Sequence, residues 1–216
     1  GDIGPSTGEV GSVAFMLEEP PMFAQTLDKM TPYLRKANYI GEFALNFILT
    51  EEGELWVLEA TARLGYPITW EHDTMHKTPW KELFYKSCTG ENNFMEFNKG
   101  FCVAVVVHTP PFPQETSPNP HSGAPILFEK EMTPEEMLGM KNYYFMEVNI
   151  EDDNLVTGGL NGYNVIVTAM GDSIDKARDL VYKRIDALTI DGKGYRTDIG
   201  EKTKDILPRL KQHGYI

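Results

Sequence analysis

This sequence predicts an α+β fold in two parts, and three observations carry that reading. Two short apolar runs flank a polar, glycine-containing turn. A near-continuous β-prone run begins at Phe101. A single strongly amphipathic segment spans residues 173–188. Local strand pairing in the first half, with strands and one main helix in the second, marks α+β rather than an alternating α/β chain. A polar stretch at 89–99 separates the halves, so the expected boundary lies near residue 97: residues 1–97, then a small β-rich part at 98–216.

Residues 1–12, GDIGPSTGEVGS, hold four glycines and a proline and are expected to form a shaped loop. From Met22 to Ala37, Phe23, Leu27, Met30 and Leu34 recur at helical spacing, with Pro32 expected to interrupt the helix near its end. The runs 41–49 and 55–60, joined by Thr50-Glu51-Glu52-Gly53-Glu54, predict a β-hairpin. Trp80, Leu83 and Phe84 mark a short helix at 79–87.

In the second half, 101–107 predicts a buried strand. A loop rich in Pro and Ser spans 109–125, and further strands are expected at 144–150 and 163–169. Residues 173–188 predict a helix capped by Ser173, with Ile174, Ala177, Leu180, Val181, Ile185 and Leu188 on one face. Glu151-Asp152-Asp153 reads as a solvated turn.

Composition narrows the function. The 216 residues carry a net charge of -12, which disfavours a nucleic-acid partner while leaving room for a nucleotide in a local pocket. No apolar run reaches the ~20 residues of a membrane helix, and the first residues show no basic stretch followed by an apolar one, so no secretory signal is expected. Cys88 and Cys102 form no CxxC pair and are expected as two buried thiols, pointing to a reducing, cytoplasmic setting. Cys88 has no evident catalytic base. His72 and His76 are four apart, but no Glu follows His72 and no third ligand is evident, so zinc is not expected. His108 and His121 flank the Pro-rich loop and read as surface or core-edge residues.

The chemistry-bearing residues cluster on the hairpin. Period-two alternation places Glu59, Thr61 and Arg63 on one face, an unusual set for a core strand. Asn46 lies on the preceding strand. The segment Glu59-Ala60-Thr61-Ala62-Arg63-Leu64-Gly65-Tyr66-Pro67 resembles the metal-binding Glu-x-Asn-x-Arg motif of ATP-grasp carboxylate–amine ligases, and among them the phosphoribosylamine-glycine ligase family. The loop Gly1-Asp2-Ile3-Gly4-Pro5-Ser6-Thr7-Gly8 is similar to that family's Gly-Asp-x-Gly-Pro-Asn-Thr-Gly signature. Gly158-Gly159, Val167-Thr168-Ala169-Met170-Gly171 and Tyr195-Arg196-Thr197-Asp198-Ile199-Gly200 follow in the family's order.

The resemblance covers nearly the whole chain and implies the C-terminal half of an ATP-grasp domain followed by the ligase C-terminal domain. It implies an enzyme that uses ATP and Mg2+ (or Mn2+) to join a carboxylate to an amine, in the family glycine to phosphoribosylamine in purine biosynthesis. Glu59 falls on the metal-binding position, with Asn46 or Thr61 as helper, and Arg63 on the position that binds phosphoryl or carboxylate. Asp2, Ser6 and Thr7 fall on amine-substrate contacts. The chain opens directly on the Gly-rich loop without an initiator Met. The partner it is then expected to need is an N-terminal part of the same protein that carries most ATP contacts; alone it is expected to bind ATP weakly and be inactive.

The match departs from the family at several positions. Thr61 replaces the metal-binding Asn, Ser6 the loop Asn, and Glu9-Val10 a Gly-Met pair. Tyr66, Ile68 and Trp70 replace an Asp, a Glu and a Gln. These departures leave three readings: the family reaction, a divergent ligase for another acid and amine, or a non-catalytic binding module.

Overall fold

The computed structural model describes residues 10–91, 95–113, 119–159 and 161–216. It confirms the α+β class. After β1 (Gly11–Phe15) come helix α1 (Pro21–Gln25), a 3-10 turn (Leu27–Met30) and helix α2 (Thr31–Lys36). The expected single helix over 22–37 is therefore broken into three. Pro32 does not end a helix; it sits in the first turn of α2, where no intrahelical N–H bond is required.

The hairpin is present as β2 (Ala44–Leu49) and β3 (Leu55–Thr61), followed by α3 (Ile68–Met75) and α4 (Trp80–Thr89). Next come β4 (Phe101–His108), β5 (Leu127–Phe128), α5 (Pro134–Leu138), β6 (Tyr143–Phe145), β7 (Val148–Glu151) and β8 (Asn154–Thr157). The chain closes with β9 (Tyr163–Gly171), α6 (Ile174–Asp186), β10 (Leu188–Thr189) and α7 (Glu201–Gln212). The single strand expected over 144–150 is two strands in different sheets. β6 joins β9, while β7 turns back on β8 through Asp152 and Asp153, both at positive φ as a two-residue hairpin turn requires.

The centre is an antiparallel sheet in the order β1-β4-β9-β6. It is covered on both faces, which is why β4 reads as continuously apolar. Val103, Val105, Val107, Val165, Val167 and Ala169 meet Ala177, Val181 and Ile185 of α6 on one side. On the other, Cys102 packs with Met75 and Ile68 of α3, and Ala104, Val106 and Ile166 pack with Tyr66 and Trp70. Each layer follows the period-two alternation of the strands. β1 pairs with β4 from Gly11↔Val105 to Phe15↔Phe101, so this sheet takes a strand from each side of residue 97.

The C-terminal segment returns to the hairpin. Arg209 donates to the Thr50 carbonyl at 2.6 Å, and the Tyr215 hydroxyl donates to the Gly53 carbonyl at 2.6 Å. Gly53 is in the left-handed region with His213 against it; a Cβ there would lie 2.2 Å from the His213 Nδ1. Among the described residues, no helix is long and apolar enough to cross a membrane.

Candidate functional site

The hairpin register decides which predicted residues meet. Asn46 lies opposite Glu59, and its side-chain amide donates to Glu59 Oε1 at 2.8 Å. A register shift follows at once, since Phe47 pairs with Val57 and leaves Leu58 as an extra residue on β3. Both polar residues are exposed. Among the described residues, Glu59 Oε2 and the Asn46 side-chain oxygen Oδ1 make no further hydrogen bond. Those are hard oxygen donors of the kind Mg2+ takes when water and phosphate complete its shell. The donor set therefore fits a Mg2+ ion carried with a nucleotide, and fits poorly a metal held by protein alone. Among the described residues, no group of three or more His, Cys, Asp or Glu side chains converges.

Thr61 lies opposite Ala44 and is half-buried. Arg63 stands beyond the end of β3; its guanidinium donates to the Leu64 carbonyl at 3.0 Å, and among the described residues no carboxylate pairs with it. Arg63 lines a cleft of about 900 Å³ between the hairpin end, the 39–43 segment and α4. Glu42, His72 and Cys88 also line it. Burial raises the Glu42 pKa and lowers that of His72, so both are drawn toward their neutral forms. Asp2, Ser6 and Thr7 lie outside the described residues.

The positions where the sequence departs from the resembled motif turn inward. Trp70 stacks on Tyr144 at 4.7 Å between centroids, and Tyr66 meets Tyr163 edge-on at 5.7 Å. Ile68 packs beside Met75 and Cys102. These three side chains seal α3 against the sheet.

Several site-adjacent residues were not foreseen. Glu71 of α3 is fully buried and accepts a hydrogen bond from the Ser12 hydroxyl of β1; among the described residues its Oε1 has no hydrogen-bond partner. Burial pushes its pKa up to about 8, against the opposing pull of the Ser12 bond. An acidic residue in a short helix reads as solvated, so the sequence carries no signal for this. Asp73 accepts from Trp80 Nε1 at 2.5 Å and from the Tyr144 hydroxyl at 2.7 Å, joining α3, α4 and β6. Cys102 is buried, but Cys88 is exposed, contrary to the expectation of two buried thiols: it sits near the end of α4, which buries none of its residues. His76, four residues from His72, has both ring nitrogens buried and, among the described residues, without a hydrogen-bond partner; it packs against Trp80 and Phe97.

A scan against protein-family models matches none. The chain is similar to a phosphoribosylamine–glycine ligase of Leifsonia xyli, 29% identical over 217 residues that cover 94% of this chain and 49% of the relative. A ligase of the same name from Caldanaerobacter subterraneus is 27% identical, covering 92% of this chain and 46% of its own length. The crystal structure of phosphoribosylamine–glycine ligase from Thermotoga maritima superposes with a TM-score of 0.71 at 27% identity, covering 93% of this chain and 48% of that one. The biotin carboxylase subunit of pyruvate carboxylase superposes with a TM-score of 0.55 at 14% identity, covering 87% of this chain and 40% of that one. The fold is therefore that of ATP-grasp proteins, and the sequence similarity is to the C-terminal half of the ligases. The chain spans about half the length of the curated relatives it matches.

Proposed function

We propose that this chain is the C-terminal half of an ATP- and Mg2+-dependent carboxylate–amine ligase of the phosphoribosylamine–glycine ligase type. The observation that carries the reading is the Asn46–Glu59 pair, held across the hairpin at 2.8 Å on its exposed face, in a chain whose relatives bear that ligase name along 92–94% of its length.

In this reading a carboxylate oxygen of the acid attacks the γ-phosphorus of ATP, and ADP leaves. The amine then attacks the acyl carbon, the C–O bond to phosphate breaks, and phosphate departs with one oxygen of the acid. Glu59 and the Asn46 side-chain oxygen Oδ1 would hold Mg2+, with the Thr61 hydroxyl as a further oxygen donor. The ion, when bound, neutralises phosphate charge. Arg63 would orient the carboxylate or the transferring phosphoryl group through its planar fork of donors. Asp2, Ser6 and Thr7 would contact the amine. The rest of the ATP site would come from the upstream half that the relatives carry, and the chain alone would not turn over.

Tyr66, Ile68 and Trp70 favour a second reading within the same class, a ligase for another acid and amine, because the three residues pack inward instead of presenting polar groups. The test is ADP release by the full-length gene product with ATP, Mg2+, glycine and phosphoribosylamine. Turnover is expected to require both substrates or a related pair. Glu59→Ala is expected to lower it by about 100-fold or more, the scale on which transition-state charge stabilisation acts. ADP release unchanged in Glu59→Ala would overturn the assignment of Glu59.

A further inference from the structure

We infer that the C-terminal segment 209–215 positions the hairpin face that carries Asn46 and Glu59, with Arg209 and Tyr215 as the positioning residues. The inference rests on the ligase reading and deepens it: the oxygen donors offered to Mg2+ are held in place by contacts at the far end of the chain.

The hairpin has little of its own to hold it. β2 and β3 form a two-stranded sheet by themselves, and neither strand buries a residue. Such a pair is marginal in water without further packing. The face behind Asn46 and Glu59 is not close-packed. There Phe47 and Leu55 border one cavity of about 410 Å³ toward residues 25–30 and another of about 310 Å³ toward Ile206 and Leu210 of α7. Well-packed interiors hold few voids larger than a water molecule, so packing on this face does not fix the angle of the hairpin.

The turn is held differently. From 44 to 61, Gly53 alone is buried. Its carbonyl accepts from the Tyr215 hydroxyl, and the Thr50 carbonyl accepts from Arg209, each at 2.6 Å. Among the described residues, these are the hydrogen bonds that leave 44–61 for another part of the protein. Tyr215 is itself seated from two sides. Its amide donates to the Leu210 carbonyl at 2.9 Å, and its carbonyl accepts from the Met22 amide at 3.2 Å. α7 and the start of α1 therefore reach the turn through one residue, while His213 closes against Gly53.

At its other end the hairpin runs on into the chain at Phe43 and Ala62, so the bonds at the turn set its tilt about that end. At ~3.3 Å per residue Asn46 lies about 10 Å along the strand from Phe43, and a tilt of about 6° moves it by about 1 Å. A misplacement of about 1 Å in a reacting site costs up to about 100-fold in rate. The hydroxyl of Tyr215 and the guanidinium of Arg209 touch no reacting atom in this arrangement; they act through the hairpin.

Paramagnetic broadening of the Asn46 side-chain amide by Mn2+, followed by NMR in the 216-residue chain, tests this without turnover. Saturable broadening is expected in the parent chain. Tyr215→Phe and Arg209→Met are each expected to raise the half-effect Mn2+ concentration by about fivefold or more, the low end of coupling between separate sites. Arg209→Lys keeps a charged donor and is expected to restore part of the loss. Ser173→Ala removes the cap of α6 and destabilises the chain away from the hairpin. It is expected to leave the Mn2+ response unchanged, which separates positioning from general stability. Half-effect concentrations equal in the parent, Tyr215→Phe and Arg209→Met overturn the positioning role while the metal assignment stands. A rise of the same size in Ser173→Ala also overturns it, because the effect is then one of stability. No saturable broadening in the parent removes the metal assignment of the hairpin, and this inference with it.

Discussion

Glu59 and Glu71 show how position decides what a carboxylate can do. Glu59 is exposed on a strand, with one oxygen held by Asn46 and the other without a hydrogen-bond partner among the described residues. Glu71, twelve residues on, is fully buried between α3 and β1, and its pKa lies at about 8. Its pKa is higher folded than unfolded, so the folded state holds the proton more tightly. Stability from this group is intact below the ordinary carboxylate range near 4.5 and falls as pH rises to about 8. The slope is at most about 1.4 kcal/mol per pH unit. Glu71→Gln keeps a hydrogen-bond acceptor for Ser12 and removes the titration. Urea unfolding at pH 5, 6.5 and 8 is expected to show the parent chain losing stability against Glu71→Gln across that interval. A constant difference between the two proteins would contradict a buried neutral Glu71. At this scale the sequence showed the exposed site and hid the buried one. The Asn46–Glu59 meeting follows from two apolar runs around one short turn, whereas Ser12 and Glu71 are brought together only by the packing of α3 on the sheet.

Among the elements, those with a strong local pattern were legible. Helix α6 runs from Ile174 to Asp186, and Ser173 caps it by accepting from the Lys176 amide at 3.3 Å. β4 and β9 were legible because both their faces are buried. β1 was not: its five residues follow a glycine-rich stretch, and β4, some ninety residues away, makes them a strand. α7 escaped because Pro208 lies inside it and none of its residues is buried. Its role is set by what it touches. Arg209 reaches the Thr50 carbonyl at the hairpin turn. Arg209→Met is expected to destabilise the chain by about 1.5–3 kcal/mol, the range for a charged hydrogen bond, and to speed amide exchange at Gly53 and Glu54. Exchange there unchanged from the parent would show that α7 does not hold the turn.

On the scale of the whole molecule, the sheet sandwiched by α3 and α6 and the returning C-terminus form a frame that leaves one face of the hairpin open. Ile48, Trp56 and Leu58 lie exposed along the hairpin that carries Asn46 and Glu59. The cleft at Arg63 was not legible, because its walls come mainly from residues 39–45 and 62–64 and from Trp80, Leu83, Phe84, Met95 and Phe97, which no local pattern connects. The order of the motifs along the chain was legible, and it agrees with relatives that match over nearly all of this chain and about half of their own length. The most direct test of the account is isotopic. The full-length protein would turn over an acid labelled with 18O in its carboxylate, in the presence of ATP, Mg2+ and the amine. Ligation through an acyl phosphate transfers one labelled oxygen to the released phosphate for each amide formed, and that is the predicted result. Unlabelled phosphate accompanying amide formation, or ADP release that never depends on acid and amine together, would contradict the proposed ligase.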